Sequence, residues 1–171
     1  MSAEQTRVPR YGVVDPAERS SMNGVEFLQA IIDGRAPLPP IMETMAIMPI
    51  SAVHGEVVMD GEPQARHLNP LGTIHGGYGC TLLDSVMACA VHSTLETGQG
   101  YTTIELKVNF TRPILPGMRV RGIGTVVNRG RQLAIADGRI VGDDGKLLAH
   151  ATTTCLLFPM PAPASARSPA L

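Results

Sequence analysis

Tryptophan is absent, and phenylalanine and tyrosine number only three each in the 171 residues. So few rings leave little surface for stacking against unpaired bases. No charge of one sign dominates either. Fourteen Lys and Arg stand against 15 Asp and Glu, a formal net charge of −1, so no strong field points toward nucleic acid or an anionic bilayer. The three cysteines, Cys80, Cys89 and Cys155, are odd in number and form no Cys-x-x-Cys pair. That excludes a disulfide scaffold and a zinc ribbon and suits a reducing compartment. No apolar run reaches the length of a bilayer span, and "MSAEQTRVPRYGVVDPAERS" lacks the apolar stretch of a secretory signal. The expectation is a cytoplasmic protein with no nucleic-acid or membrane partner.

Several catalytic signatures are missing as well. "GGYGCT" lacks the Lys-Ser/Thr of a phosphate-binding loop, and "GIGTVV" lacks the third glycine of a dinucleotide fingerprint. There is no Gly-x-Ser-x-Gly elbow for a serine hydrolase. The histidines at 54, 67, 75, 92 and 150 are scattered, with no spacing that gathers metal ligands. Neither a metal nor a cofactor is expected.

What is present is an ordinary globular balance, 44% hydrophobic and 17% charged, in a length that suits one domain with tails. Residues 1–44 read as an N-terminal extension. Within it Val25, Leu28, Ile31 and Ile32 mark one face of a short helix that Gly34 and Pro37 stop. Residues 45–158 read as the domain, and the Pro-, Ala- and Ser-rich end 159–171 as a disordered tail. The domain opens with a β-like stretch that places Val53 and Val57 on one side. A long helix follows from about Gly77 to Leu95, with Leu83, Val86, Met87, Ala90, Val91 and Thr94 as its core stripe. Strands are then expected at 101–112, 118–128, 131–142 and 146–158, with "NRGR" and "DDGK" as tight turns. One long helix followed by an antiparallel meander is an α+β order, the helix laid across a curled sheet.

Two features of "NPLGTIHGGYGCTLLDSVMACA" bear on chemistry. Glycines at a helix start let backbone approach a ligand, and the first N–H groups there lack intrahelical partners. His75-Gly76-Gly77 is therefore either a plain turn or a site for a carbonyl oxygen or oxyanion. Asp84 is either a solvated acid or a partly buried base or nucleophile. Its flank of Gly77, Cys80, Thr81 and Ala88 is small, unlike the Lys and Glu of a water-facing side. Gly76 and Asp84 lie eight residues apart, about 12 Å along one helix. Both cannot reach one reacting centre, but a two-fold dimer brings Gly76 of one chain to Asp84 of the other. Arg129 and Arg131 around Gly130 offer guanidinium forks suited to phosphate, or are a solvated hairpin tip.

"NPLGTIHGGYGCTLLDS" resembles the active-site segment of hotdog-fold acyl-CoA thioesterases of the phenylacetyl-CoA thioesterase-like, PaaI-type branch. Asn69, Gly72, His75, Gly76, Gly77 and Asp84 fill that branch's places, and "TTIELKVNFTRPILPG" resembles its next strand. The resemblance implies a dimeric hotdog fold, a long central helix wrapped by a curved antiparallel sheet. It implies hydrolysis of an aryl- or short- to medium-chain acyl-CoA to the free acid and coenzyme A. Asp84 would be nucleophile or general base, and the Gly76 N–H would polarise the carbonyl. Asn69 would hold the attacking water or orient the partner's carboxylate, and His75 would support the loop. Thr103, with Thr102 as the one-residue alternative, would assist the water. Gly77 and the turn Asn128-Arg129-Gly130-Arg131 would contact coenzyme A. A homodimer with shared sites, paired into a tetramer, is the implied assembly. A hotdog hydratase acting on the acyl chain and a non-catalytic acyl-CoA-binding protein are the alternatives. Asn69 with Asp84 suits hydrolysis better than either.

Overall fold

The computed structural model describes residues 8–160. Three short helices come first, α1 (Pro16–Ser20), α2 (Gly24–Ile32) and α3 (Pro40–Met45). The hairpin β1 (Ile47–Val53) and β2 (Glu56–Gly61) follows, then a 3-10 turn at Ala65–His67 and the long helix α4 (Gly76–His92). The chain ends in β3 (Gln99–Phe110), β4 (Val120–Arg129), β5 (Leu133–Gly142) and β6 (Leu147–Pro159). All strands join one antiparallel sheet in the order β1-β2-β4-β5-β6-β3. This is the expected α+β hotdog architecture, with α4 against the sheet's inner face and in contact with every strand.

The core stripe of α4 lies as its spacing requires. Leu82, Leu83, Val86, Met87, Ala90 and Val91 are fully buried, and Thr94 is buried just past the helix end. Facing them are Ala134, Ala136, Ile140, Ala149 and Ala151 on the inner sides of β5 and β6. Small strand residues let the helix sit low. A Cβ added at Gly124 would overlap the backbone carbonyl of Val86 and lie 2.6 Å from the Met87 nitrogen. Only glycine admits a helix backbone that close to a strand.

The opening β stretch departs from expectation. The chain reverses at His54-Gly55, where Gly55 has φ +82°, so there are two strands. Val53 is 58% exposed while Val57 is buried; Val57 shares its buried side with its cross-strand partner Ala52 instead. A turn between the two valines cancels the alternation that would place them together.

The short helix expected in the N-terminal extension is α2. Asn23 and Glu26 form a reciprocal capping box on α2, and Leu28 and Ile31 are buried, with Val25 and Ile32 half-buried. Its first N–H donates to the Leu95 carbonyl, 2.9 Å away, just beyond α4. A Cβ at Gly24 would overlap the His92 carbonyl, so α2 begins in contact with the end of α4. The tail expected to be disordered lies, from residue 161 onward, outside the described residues, as do residues 1–7 of the extension.

Candidate active site

The site begins in the loop before α4. His67 is buried; its Nδ1 accepts from the Gln64 N–H at 2.9 Å, so its Nε2 carries the hydrogen that meets the Thr44 carbonyl at 2.8 Å. The His67 carbonyl in turn accepts the His75 N–H at 2.8 Å, tying the start of α4 to α3. Asn69 closes the loop between these histidines. Its Oδ1 accepts from the Leu71 and Thr73 N–H groups, and its Nδ2 donates to Thr73 Oγ1 at 2.7 Å. Gly72, at φ +79°, completes that turn.

His75 caps α4: its Nδ1 accepts the Gly77 N–H at 2.8 Å. A Cβ on Gly77 would stand 2.9 Å from that nitrogen, which is why glycine follows. The Tyr78 N–H returns to the His75 carbonyl. Of the first helical donors the Gly76 N–H is therefore the one that no group among the described residues pairs with. It borders a cavity of about 360 Å³ lined by Ile74, His75, Gly76, Phe110 and Arg112.

Asp84 lies two turns further along α4, half-buried, and the Thr103 hydroxyl donates to its Oδ1 at 3.0 Å. Thr102 is exposed and faces the other side of β3, so Thr103 is the threonine beside the carboxylate. The register shifts at Ile104, a bulge directly after Thr103. The carboxylate's charge acts on its surroundings: burial first, then Asp84, pushes the Cys89 thiol up to about 12, and burial with Asp84 also raises Cys155. Both are held as neutral thiols, which suits packing and not nucleophilic attack. Cys80 is likewise raised by burial.

The structure thus brings Asp84 and Thr103 together and leaves Gly76 and His75 about two helical turns away on the same helix. The turn after β4 lies elsewhere, beside Gln99 at the start of β3. Arg129 donates to the Gly130 carbonyl at 2.6 Å and to Gln99 Oε1 at 2.9 Å, so its fork is taken up within the fold. Asn128 and Arg131 are exposed, and Gly130 closes the turn on the Leu133 carbonyl.

Three residues that sequence reasoning passed over also belong to this neighbourhood. His92 ends the helix that carries Asp84, between the rings of Phe27 and Tyr101 at centroid distances of 5.1 and 5.5 Å. Burial, then the Arg19 charge, pushes it down to about 4. Tyr101 projects from β3 on the same side as Thr103, and burial raises its phenol. Tyr78 is buried with its hydroxyl against Gly61 and unpaired. The spacing of His92 from Asp84, eight residues on one helix face, was a signal available in the sequence. Among the described residues no His, Cys, Asp or Glu cluster could hold a metal ion, and no helix is long and apolar enough to cross a membrane.

The hotdog fold thus carries a helix start with one N–H that no group among the described residues pairs with, and a carboxylate that accepts from a threonine. Residues 71–149 match the thioesterase superfamily. In structure the chain is similar to the phenylacetic acid degradation-related protein of Ralstonia eutropha JMP134. The two are 32% identical with a TM-score of 0.70, over 76% of this chain and 98% of that one. It is similar to smu.793 of Streptococcus mutans UA159, solved bound to acetyl CoA, at 25% identity and TM-score 0.63, over 68% and 91% of the two chains. In sequence it is 27% identical over 106 residues to acyl-coenzyme A thioesterase 13 of Homo sapiens, 61% of this chain and 75% of that one. The chain belongs to the thioesterase superfamily, and the enzyme is a thioester hydrolase of the PaaI type.

Proposed function

We propose that the protein hydrolyses acyl-CoA thioesters to a free acid and coenzyme A, in a site completed by a second copy of the chain. The observation that carries this reading is the Asp84–Thr103 hydrogen bond of 3.0 Å on the helix whose Gly76 N–H no group among the described residues pairs with. Asp84 attacks the thioester carbonyl or takes the proton of an attacking water, and Thr103 holds the carboxylate in place. The partner's Gly76 N–H faces the developing oxyanion, aided by the positive end of α4. Coenzyme A leaves as a thiolate and takes up the proton from water; where Asp84 itself attacks, that water cleaves the acyl–Asp84 anhydride to give the free acid and restore the carboxylate.

The remaining residues take positioning roles. Asn69 uses one Nδ2 hydrogen within its loop, so the second is available to water or to the partner's carboxylate. His75, accepting at Nδ1, carries its hydrogen on Nε2 beside the Gly76 cavity. Gly77 permits that cap. In the turn after β4, recognition of coenzyme A phosphates falls to Arg131 and Asn128, because Arg129 is engaged inside the fold.

The shared site calls for a homodimer seam along β3, and the position of that strand supports it. β3 is an edge strand of 12 residues next to α4, with unpaired backbone groups along one side. Pairing into tetramers through the exposed Leu133, Ile135, Leu156 and Phe158 on the sheet's outer side follows from the apolar character of that patch.

Asp84→Asn tests the chemistry. Thiol release from a panel of aryl and aliphatic CoA esters is expected to fall by at least about a hundredfold, with circular dichroism unchanged. Full activity in Asp84→Asn would refute the assignment.

A further inference from the structure

α4 and β3 run together from the carboxylate to a second cavity. Asp84 and Thr103 meet at one point; from there α4 continues two turns, about 12 Å, to His92. β3 followed backwards reaches Tyr101 two residues earlier, about 7 Å away on the same face. The two paths converge where the His92 and Tyr101 rings lie 5.5 Å apart. Of the residues that α4 carries between them, Ser85 and Cys89 are the half-buried ones, and both are small. Beyond this pair is a cavity of about 150 Å³, lined by Tyr101, His92, Leu95 and Gly100 and roofed by α1–α2 residues including Ser20 and Met22. Tyr101 is the shared wall: it borders this cavity and stands on the same side of β3 as Thr103, whose hydroxyl meets Asp84.

The lining is more apolar than polar: Tyr101, Leu95 and Met160 border it, burial first and then the Arg19 charge keep His92 neutral, and the charged Arg19 and Glu96 are exposed. An apolar chain end suits such a lining, whereas phosphates would need cations at the floor. The N-terminal helices, which the thioesterase match at 71–149 does not include, supply the roof.

Resting on the thioesterase reading above, we propose that this cavity receives the far end of the acyl group and that Tyr101 limits how long that group can be. Short acyl groups end at the Tyr101 ring. Longer ones must displace it to enter the space under α1 and α2, so the extension is part of the substrate site.

The test uses the full chain and straight-chain esters from acetyl- to decanoyl-CoA, with kcat/KM from thiol release. Tyr101→Ala is expected to raise the decanoyl-to-acetyl ratio about tenfold. Ser20→Phe, a change at the half-buried rim far from Asp84, fills the cavity and is expected to lower the same ratio. Opposite signs keep the test decisive if Tyr101→Ala folds poorly, which its melting temperature reports. Folded variants with an unmoved ratio overturn the proposal while wild-type hydrolysis upholds the thioesterase reading. So does a changed preference between CoA and N-acetylcysteamine esters with the acyl series untouched, because the cavity would then serve the thiol half. If the wild type releases thiol from no ester, the thioesterase reading fails and this one falls with it.

Discussion

Replacing Thr103 by valine isolates one hydrogen bond. Valine keeps the shape and β-branching of threonine, so β3 and its bulge are retained. Only the hydroxyl that donates to Asp84 Oδ1 at 3.0 Å is lost. A hydrogen bond to a charged group contributes about 1.5–3 kcal/mol. Asp84 and Thr103 are both half-buried, so water partly replaces the donor and the lower part of that range applies. A loss of about 1.5–2 kcal/mol from the transition state slows turnover about 10- to 30-fold. Stability should fall by no more than about 2 kcal/mol, because water can reach the half-buried carboxylate that loses its donor. The assay is kcat from thiol release with a saturating CoA ester, run beside Thr103→Ser and Thr102→Val. Serine should restore most of the rate, and Thr102→Val should stay within about twofold, since Thr102 faces away from the carboxylate. Wild-type turnover in Thr103→Val, or an equal loss in Thr102→Val, would refute the reasoning.

Two further outcomes concern the fold. His92 is neutral when folded, pushed down to about 4 from 6.5 by burial first and the Arg19 charge second. The unfolded chain binds its proton first as pH falls, so this contribution to stability is present above about 6.5 and is lost toward about 4, up to roughly 3 kcal/mol. An NMR titration of the His92 ring should show a midpoint near 4; a midpoint near the ordinary imidazole value would contradict the packing between Phe27 and Tyr101. Gly124→Ala forces a methyl into the Val86 carbonyl and should cost more than about 3 kcal/mol in urea unfolding. A cost below about 1 kcal/mol would mean that α4 does not rest on β4 as described.

The long helix and the last four strands are legible in the sequence because each carries a long period, interrupted in the strands only by single bulges. α4 repeats apolar residues every three or four positions, and β5 alternates buried Ala134, Ala136 and Ile140 with exposed neighbours. The β1–β2 hairpin is not, because His54-Gly55 is a weak turn signal set in a run that otherwise alternates. α1 and α3 are also silent; each is under two turns long and begins at a proline. Within the site, Asp84 and the glycines stand out locally through small neighbours. The choice between Thr102 and Thr103 depends on sheet register, which two adjacent threonines do not encode. The Phe27–His92–Tyr101 contact joins three elements far apart in the chain, and no local pattern announces it.

The central claim is that each site combines Gly76 of one chain with Asp84 of the other, and co-expression of two inactive variants tests it. Gly76→Pro removes one N–H while keeping helical φ at a first-turn position, and His75 already has the extended ψ of 137° that proline requires before it. Asp84→Asn removes the carboxylate. Each variant alone should be inactive. In a mixed dimer one site carries both lesions and the other neither, so random pairing should restore about a quarter of wild-type activity. No activity from the mixture, with mixed dimers shown to form, would contradict the shared site.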